Sequence, residues 1–325
     1  MSKFVQTAQT SQVLSLTALE EASRQGLREA DIEHLFLALV LSDQVAGRVL
    51  REMGIGIDDA RRAVREQHDA QLASLGVHSV LPDPGRIVFH ETDGYELKQR
   101  TADLIGRASG KSRDGSAAAV LCELLAEPSG LIADILHRLD ATPQEVMERL
   151  DRSVAGGVAT APGPSVSKGR TTGTQETFVP ASAAQVWDFL ADPLRVPEWE
   201  VSVGSIELSG QEARPGAVWE GRAPEARPDG KLLKIKPRFR RRLTAEGPHR
   251  AAWSFVYPDA PQSRPILTEF TLAPTTGGTQ LTITSSWARP TGWRRLVGVP
   301  LRPLQKLMVW LHLFQTGSAI SRAFR

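Results

Sequence analysis

The sequence is poor in residues that do redox and metal chemistry. Among 325 residues there is one cysteine, Cys122, so no intramolecular disulfide and no cysteine-based zinc site can form. That usage fits a reducing compartment, and a cytoplasmic protein is expected. Long apolar runs are lacking too. The nearest approach, Val297 to Ile320, is broken by Arg302, Lys306 and His312, so no membrane span is expected. The start, MSKFVQTAQTSQVL, has neither the basic opening nor the apolar core of a signal peptide. The second half shows no HExxH, no nucleophile–base pattern and no carboxylates paired at helical spacing. No catalytic residue, metal site or cofactor is therefore expected.

What is present is ordinary for a globular chain: 41% apolar and 23% charged residues, which rules out disordered and collagen-like classes. The charge is unevenly divided. Residues 1–152 carry 17 Lys/Arg against 24 Asp/Glu, and residues 153–325 carry 22 against 13. Two halves of opposite sign point to two independent units.

The boundary falls at Ser153–Thr174, SVAGGVATAPGPSVSKGRTTGT. This stretch has almost nothing large enough to bury, so burial cannot offset its ordering entropy, and a flexible linker is expected. Before it, apolar residues recur at helical spacing, as in Val13, Leu14, Ala18, Leu19 and Ala22. Asp31 is placed to cap a helix running through Glu33-His34-Leu35-Phe36, and Thr142-Pro143 opens another. Four helices appear to either side of a Pro/Gly loop at Leu81–Arg86. The spacing predicts a duplicated four-helix unit offset by about 80 residues. After the linker the period becomes two. Strands are expected at Thr174–Val179, Val203–Leu208, Ala217–Arg222, Leu232–Leu243, Ala251–Tyr257, Ile266–Ala273 and Thr279–Trp287, with a hairpin at Gly277-Gly278. One helix from Ala183 and a long helix from Leu301 to Ala323 complete the pattern. The fold class is multidomain: an all-α duplicated repeat (1–152), then an α+β antiparallel sheet around a long C-terminal helix (175–325).

Some motifs carry less than they suggest. Gly106 to Ser112, GRASGKS, looks like a phosphate loop but is one residue short and follows a helix instead of a buried strand. It reads as a helix C-terminus with Gly110 as a left-handed cap. Within Lys231 to Arg242, KLLKIKPRFRRR, basic residues alternate with Ile235, Pro237 and Phe239 from Lys234 to Arg240, which in a strand sorts them to opposite faces. It lacks the interleaved aromatics that stack on bases, so no nucleic-acid partner is expected. The final helix sets Arg302 and Lys306 beside Leu301, Leu304, Met308 and Leu311, a pattern suited to a partner or membrane surface. His249 lies in a Gly-Pro turn and is expected to be exposed. Trp199, Trp219, Trp253, Phe255 and Trp287, with His312 on the last helix, form either an ordinary core or the lining of a hydrophobic cavity.

The first half resembles the N-terminal repeat domain of Clp-family AAA+ unfoldases. The residues that carry this are Phe4, Ala8, Ala18, Glu21-Ala22, Gly26, Ile32-Glu33-His34-Leu35-Phe36-Leu37-Ala38-Leu39, Val49-Leu50 and Met53-Gly54-Ile55. The second unit matches more loosely, through Ile87-Val88-Phe89, Val120-Leu121, Leu124-Leu125, Gly130 and Ile135-Leu136. The resemblance implies recruitment of peptides, adaptors or Clp-targeting small molecules, and in some members of phosphoarginine. It places a peptide or phosphoarginine groove at Phe4, Glu33, His34 and Phe89. The carboxylate of the second repeat is replaced within Ala117-Ala118-Ala119, so one of the two sites is kept at most. No ATPase motif follows. The second half is similar to the SRPBCC, or START-like, superfamily, near its polyketide cyclase/dehydrase branch, through Phe178–Pro193 and Val196-Pro-Glu-Trp199. The expectation is a non-catalytic protein binding Clp-system partners in front and a hydrophobic small molecule behind. The alternative is a cyclase or dehydratase acting in the rear cavity.

Overall fold

The computed structural model describes residues 3–77, 85–89, 94–110, 113–156, 170–207, 216–224, 237–244, 249–256, 265–288 and 302–325. The chain divides into two compact units, Met1–Ala159 and Thr160–Arg325.

The first unit is helical. α1 (Lys3–Arg24), α2 (Ile32–Val40), α3 (Val45–Glu52) and α4 (Ile57–Ser74) are followed by α5 (Gln99–Ala108), α6 (Ala117–Leu125), α7 (Leu131–Arg138) and α8 (Pro143–Ala155). The two sets repeat the same order. The caps Asp31 and Ser116 stand 85 residues apart, and Gly56 and Thr142 stand 86 apart. Before α2 and α5 lie the short strands β1 (Glu29–Ala30) and β2 (Glu96–Leu97), which pair in parallel and join the repeats. α2 is buried along its whole length and forms the centre of the unit. Its apolar run allows that burial, and its N-terminus is closed by a capping box: the Asp31 side chain receives helix amides while His34 Nδ1 accepts from the Asp31 N–H at 3.1 Å. Thr142 and Glu145 form the same box on α8, with Pro143 in its first turn.

The expected cap at Gly110 is corrected. α5 does end there, with Ser109 as its C-cap, but Gly110 is not among the residues at positive φ. The turn is closed by backbone bonds to Arg107 and Ile105, which need no left-handed residue, and Gly115 takes the positive φ of 67°. Lys111 and Ser112 lie outside the described residues. So do 157–169 of the expected linker, whereas Ser153–Ala155 finish α8 and Arg170 already begins a strand.

The second unit is a seven-stranded antiparallel sheet in the order β3-β9-β8-β7-β6-β5-β4. Its elements are β3 (Arg170–Val179), α9 (Ala183–Ala191), a single 3₁₀ turn (Pro193–Arg195), α10 (Val196–Trp199), β4 (Ser205–Glu207), β5 (Val218–Arg222), β6 (Pro237–Thr244), β7 (Arg250–Val256), β8 (Ile266–Thr275), β9 (Gly278–Ala288) and α11 (Arg302–Arg322). Ser182 caps α9 through a box with Gln185. β8 and β9 close on the two-residue loop Thr276-Gly277, with Gly277 at φ 77°. α11 lies along β3. Gly173 permits this, because a Cβ there would come within 2.4 Å of Val309 Cγ1. The core under this cover holds Phe189, Trp199, Trp219, Trp253, Phe255, Phe270 and Leu313. Among the described residues no helix is long and apolar enough to cross a membrane. Residues 225–236, Leu301, and the side chains of 237–244 and of Arg302–Lys306 lie outside the described set, and with them most of the basic stretch and of the basic end of α11.

Candidate functional site

Each unit carries a group of side chains in need of explanation. In the first, Glu33 opens α2 and is 6% exposed. Its Oε1 is 3.6 Å from both His34 Nδ1 and His68 Nε2, the latter on α4. Its Oε2 is buried without a hydrogen-bond partner among the described residues. Burial works to raise the carboxyl pKa, but His68, His34 and the backbone outweigh it and hold the group below the ordinary range, so it is ionised at neutral pH. His34 is fully buried, and burial pulls its pKa down. Because its Nδ1 accepts from Asp31, the neutral ring carries its proton on Nε2, which also has no partner among the described residues. A buried carboxylate oxygen and a buried imidazole N–H left unmatched each cost about 1–3 kcal/mol, and such orphans call for an explanation.

Next to them is a cavity of about 400 Å³ between the end of α1 and α4. His68 lines it together with Arg61, Arg65, Leu72 and Leu75. On its α1 side Glu21 is buried and receives Arg61 Nε and Nη2, each at 2.9 Å. Sequence reading passed over these α4 residues, although a signal existed: positions 61, 65, 68, 72 and 75 advance by four and three, which lines one helix face. Glu33 and His34 are thus brought together with His68. Phe89 is half-buried and meets the Tyr95 ring edge-on at 5.4 Å. Its neighbour Val88 donates to Ser23 Oγ, which sets this segment against the C-terminal part of α1. Phe4 begins α1, and its side chain lies outside the described residues.

In the second unit the sheet gathers the expected aromatics, and Phe270 with them. Trp199 meets Phe270, Phe255 and Trp253 at centroid distances of 5.1, 6.5 and 6.3 Å, and Trp219 meets Trp253 at 5.7 Å. Trp253 Nε1 donates to Leu190 O at 2.9 Å and so ties the sheet to α9. Trp287 is half-buried, on the ladder opposite Ile266 and Thr171. Thr268 and Ser285, both buried, share a hydroxyl bond of 3.0 Å. His312 is half-buried on α11, with Nε2 3.6 Å from Glu200 Oε2. Glu200 is 4% exposed and accepts from the Ser202 amide. Sequence reading missed Glu200 because it follows Trp199 in what looks like a loop. His249 is exposed, as expected. Among the described residues no group of three or more His, Cys, Asp or Glu could hold a metal ion.

The folds define the class first: a paired helical repeat joined to a sheet gripped by a long helix. Comparison with known proteins adds the families. Residues 6–84 match the Clp repeat (R) N-terminal domain, and residues 170–309 match the family described as polyketide cyclase / dehydrase and lipid transport. Each match covers less than half of the chain. No curated protein matches it. Similar solved structures include the Zhui aromatase/cyclase from Streptomyces sp. R1128, at 17% identity over 47% of this chain and 92% of that one, TM-score 0.34. A protein from Chromobacterium violaceum aligns at 18% identity over 47% and 96%, TM-score 0.35. A protein of unknown function from Staphylococcus aureus aligns at 13% over 47% and 95%, TM-score 0.35.

Proposed function

We propose that this chain is a binding protein: the Clp-type unit takes peptides or adaptors through a guanidinium-type contact at Glu33, and the helix-grip unit holds an apolar small molecule. One observation carries the reading. Glu33 is ionised and buried, with one oxygen unmatched, directly behind His68 on the wall of a cavity. A guanidinium supplies the paired N–H groups that such a carboxylate lacks. The arginines along α4 suit a phosphoryl group on the same ligand, so phosphoarginine is the probe of choice.

Calorimetric titration of the full chain with phosphoarginine tests this. Glu33→Gln is expected to weaken binding by roughly tenfold or more, and Phe89→Ala to weaken a longer peptide more than the free amino acid. A folded wild type that releases no binding heat, or a Glu33→Gln variant that binds equally well, removes the proposal.

The Glu200–His312 pair favours a second reading, in which the rear unit moves protons on a bound ketone. Solvent-deuterium uptake by an aryl methyl ketone, present in the wild type and lost in His312→Ala, would carry it. Uptake unchanged by that substitution would remove it.

A further inference from the structure

Two fully buried indole N–H groups in the second unit find no acceptor among the described residues. Trp199 and Trp219 are 0% and 1% exposed, and neither Nε1 has a hydrogen-bond partner. Trp253, whose ring contacts both, shows the usual arrangement: its N–H is spent on Leu190 O. Buried indole N–H groups ordinarily find a partner. Both carboxylates adjoining Trp199 in sequence are engaged elsewhere: Glu198 accepts from Arg195, and Glu200 accepts from the Ser202 amide and faces His312. Two unmatched donors therefore flank one ring in the same aromatic cluster.

The strand register sets the rings in order: Arg240 is the ladder partner of both Trp219 and Phe255, so β6 runs between the strands that carry them. The complement to two buried donors is an acceptor oxygen, and an anionic oxygen accepts such bonds most strongly.

We propose that the second unit takes an apolar molecule bearing an anionic oxygen group, a carboxylate, sulfonate or phenolate, which receives the indole N–H groups of Trp199 and Trp219. This rests on the reading of that unit as the holder of an apolar ligand, and it adds the chemistry of the ligand's polar end.

The test uses the full chain and two probes with one aromatic skeleton: anilinonaphthalene sulfonate and its sulfonate-free parent, phenylnaphthylamine. The sulfonate is expected to bind about tenfold tighter or better. Its addition should move the indole N–H proton resonances of Trp199 and Trp219 and leave that of Trp253 in place, whereas the parent should move none of them. Trp199→Phe and Trp219→Phe should bring the two affinities together by weakening the sulfonate alone. Should these core variants fail to fold, the resonances of the unaltered chain still decide. Equal affinities with unmoved indole resonances overturn this inference and leave the apolar-ligand reading intact. Failure of both probes to bind overturns that reading and this inference with it.

Discussion

Asp31 and Arg100 stand 69 residues apart and meet in a two-pronged ion pair, with Arg100 Nε and Nη2 each 2.5 Å from one Asp31 oxygen. Lys98 Nζ adds a third cation at 3.0 Å. The same carboxylate caps α2, so one buried side chain starts the central helix and fastens the second repeat to the first. Burial raises the Asp31 pKa, but hydrogen bonds from Arg100, the Ile32 amide and Lys98 outweigh it and bring it down to about 2. A carboxyl with a lowered folded pKa contributes stability that is full above its ordinary value of 3.8 and is lost as pH falls toward 2. Asp31→Asn keeps a capping oxygen and removes the charge. Urea unfolding should show it less stable by about 2 kcal/mol at neutral pH, a gap that closes as the pH falls from about 4 to about 2. A gap that does not change with pH would refute the assignment.

His34 works in a separate pH window. Burial lowers its pKa from the ordinary 6.5, with His68 acting in the same direction and Glu33, Glu21 and Asp31 opposing. Below 6.5 the unfolded chain takes a proton that the folded ring refuses, so stability falls as pH drops. His34→Gln keeps an acceptor for the Asp31 amide and does not titrate. Its melting temperature should vary less than that of the wild type between about pH 7 and pH 5, and parallel curves would remove His34 as the cause.

Which parts of this were legible in the sequence follows from the range of the interactions. Asp31 and Thr142 were readable as caps because capping is settled within four residues. The change from period 3.6 to period two separated the units for the same reason. β1 and β2 were not readable, since two residues each leave no alternation to detect. The Asp31–Arg100 pair and the approach of His68 to Glu33 depend on how helices pack, and neither side chain announces its partner. In the second unit the tryptophans were picked out by size. The placement of Arg240 beside Trp219 needed the strand register, which no single strand contains.

Gly47 on α3 is fixed by crowding. A Cβ there would lie 2.1 Å from Ser42 O, 2.7 Å from Leu39 O and 2.8 Å from Arg51 Nη1. Two of these atoms are backbone. The third belongs to a buried guanidinium that donates to Val40 O and Ser42 O, closing the turn between α2 and α3. Burial lowers the Arg51 pKa to about 10, which leaves it charged at neutral pH. Gly47→Ala should cost about 2–3 kcal/mol, against the gain expected of alanine in an open helix. A urea midpoint within error of wild type would show that the turn can open.

The grip of α11 on the sheet depends on Gly173 in the same way, and here the clash is with a side chain that can be trimmed. A Cβ at 173 would come 2.4 Å from Val309 Cγ1 and 3.1 Å from Leu313 Cδ1. Gly173→Ala should therefore push α11 off β3 and cost about 1–3 kcal/mol. Val309→Ala removes the methyl that the new Cβ meets, at the usual cost of a smaller contact, about 1 kcal/mol. If this contact is what sets the helix on the strand, the two changes are not additive: the double variant should unfold within about 0.5 kcal/mol of Val309→Ala alone. Additive costs in the double-mutant cycle would place the strain elsewhere, in Leu313 or in the backbone of β3.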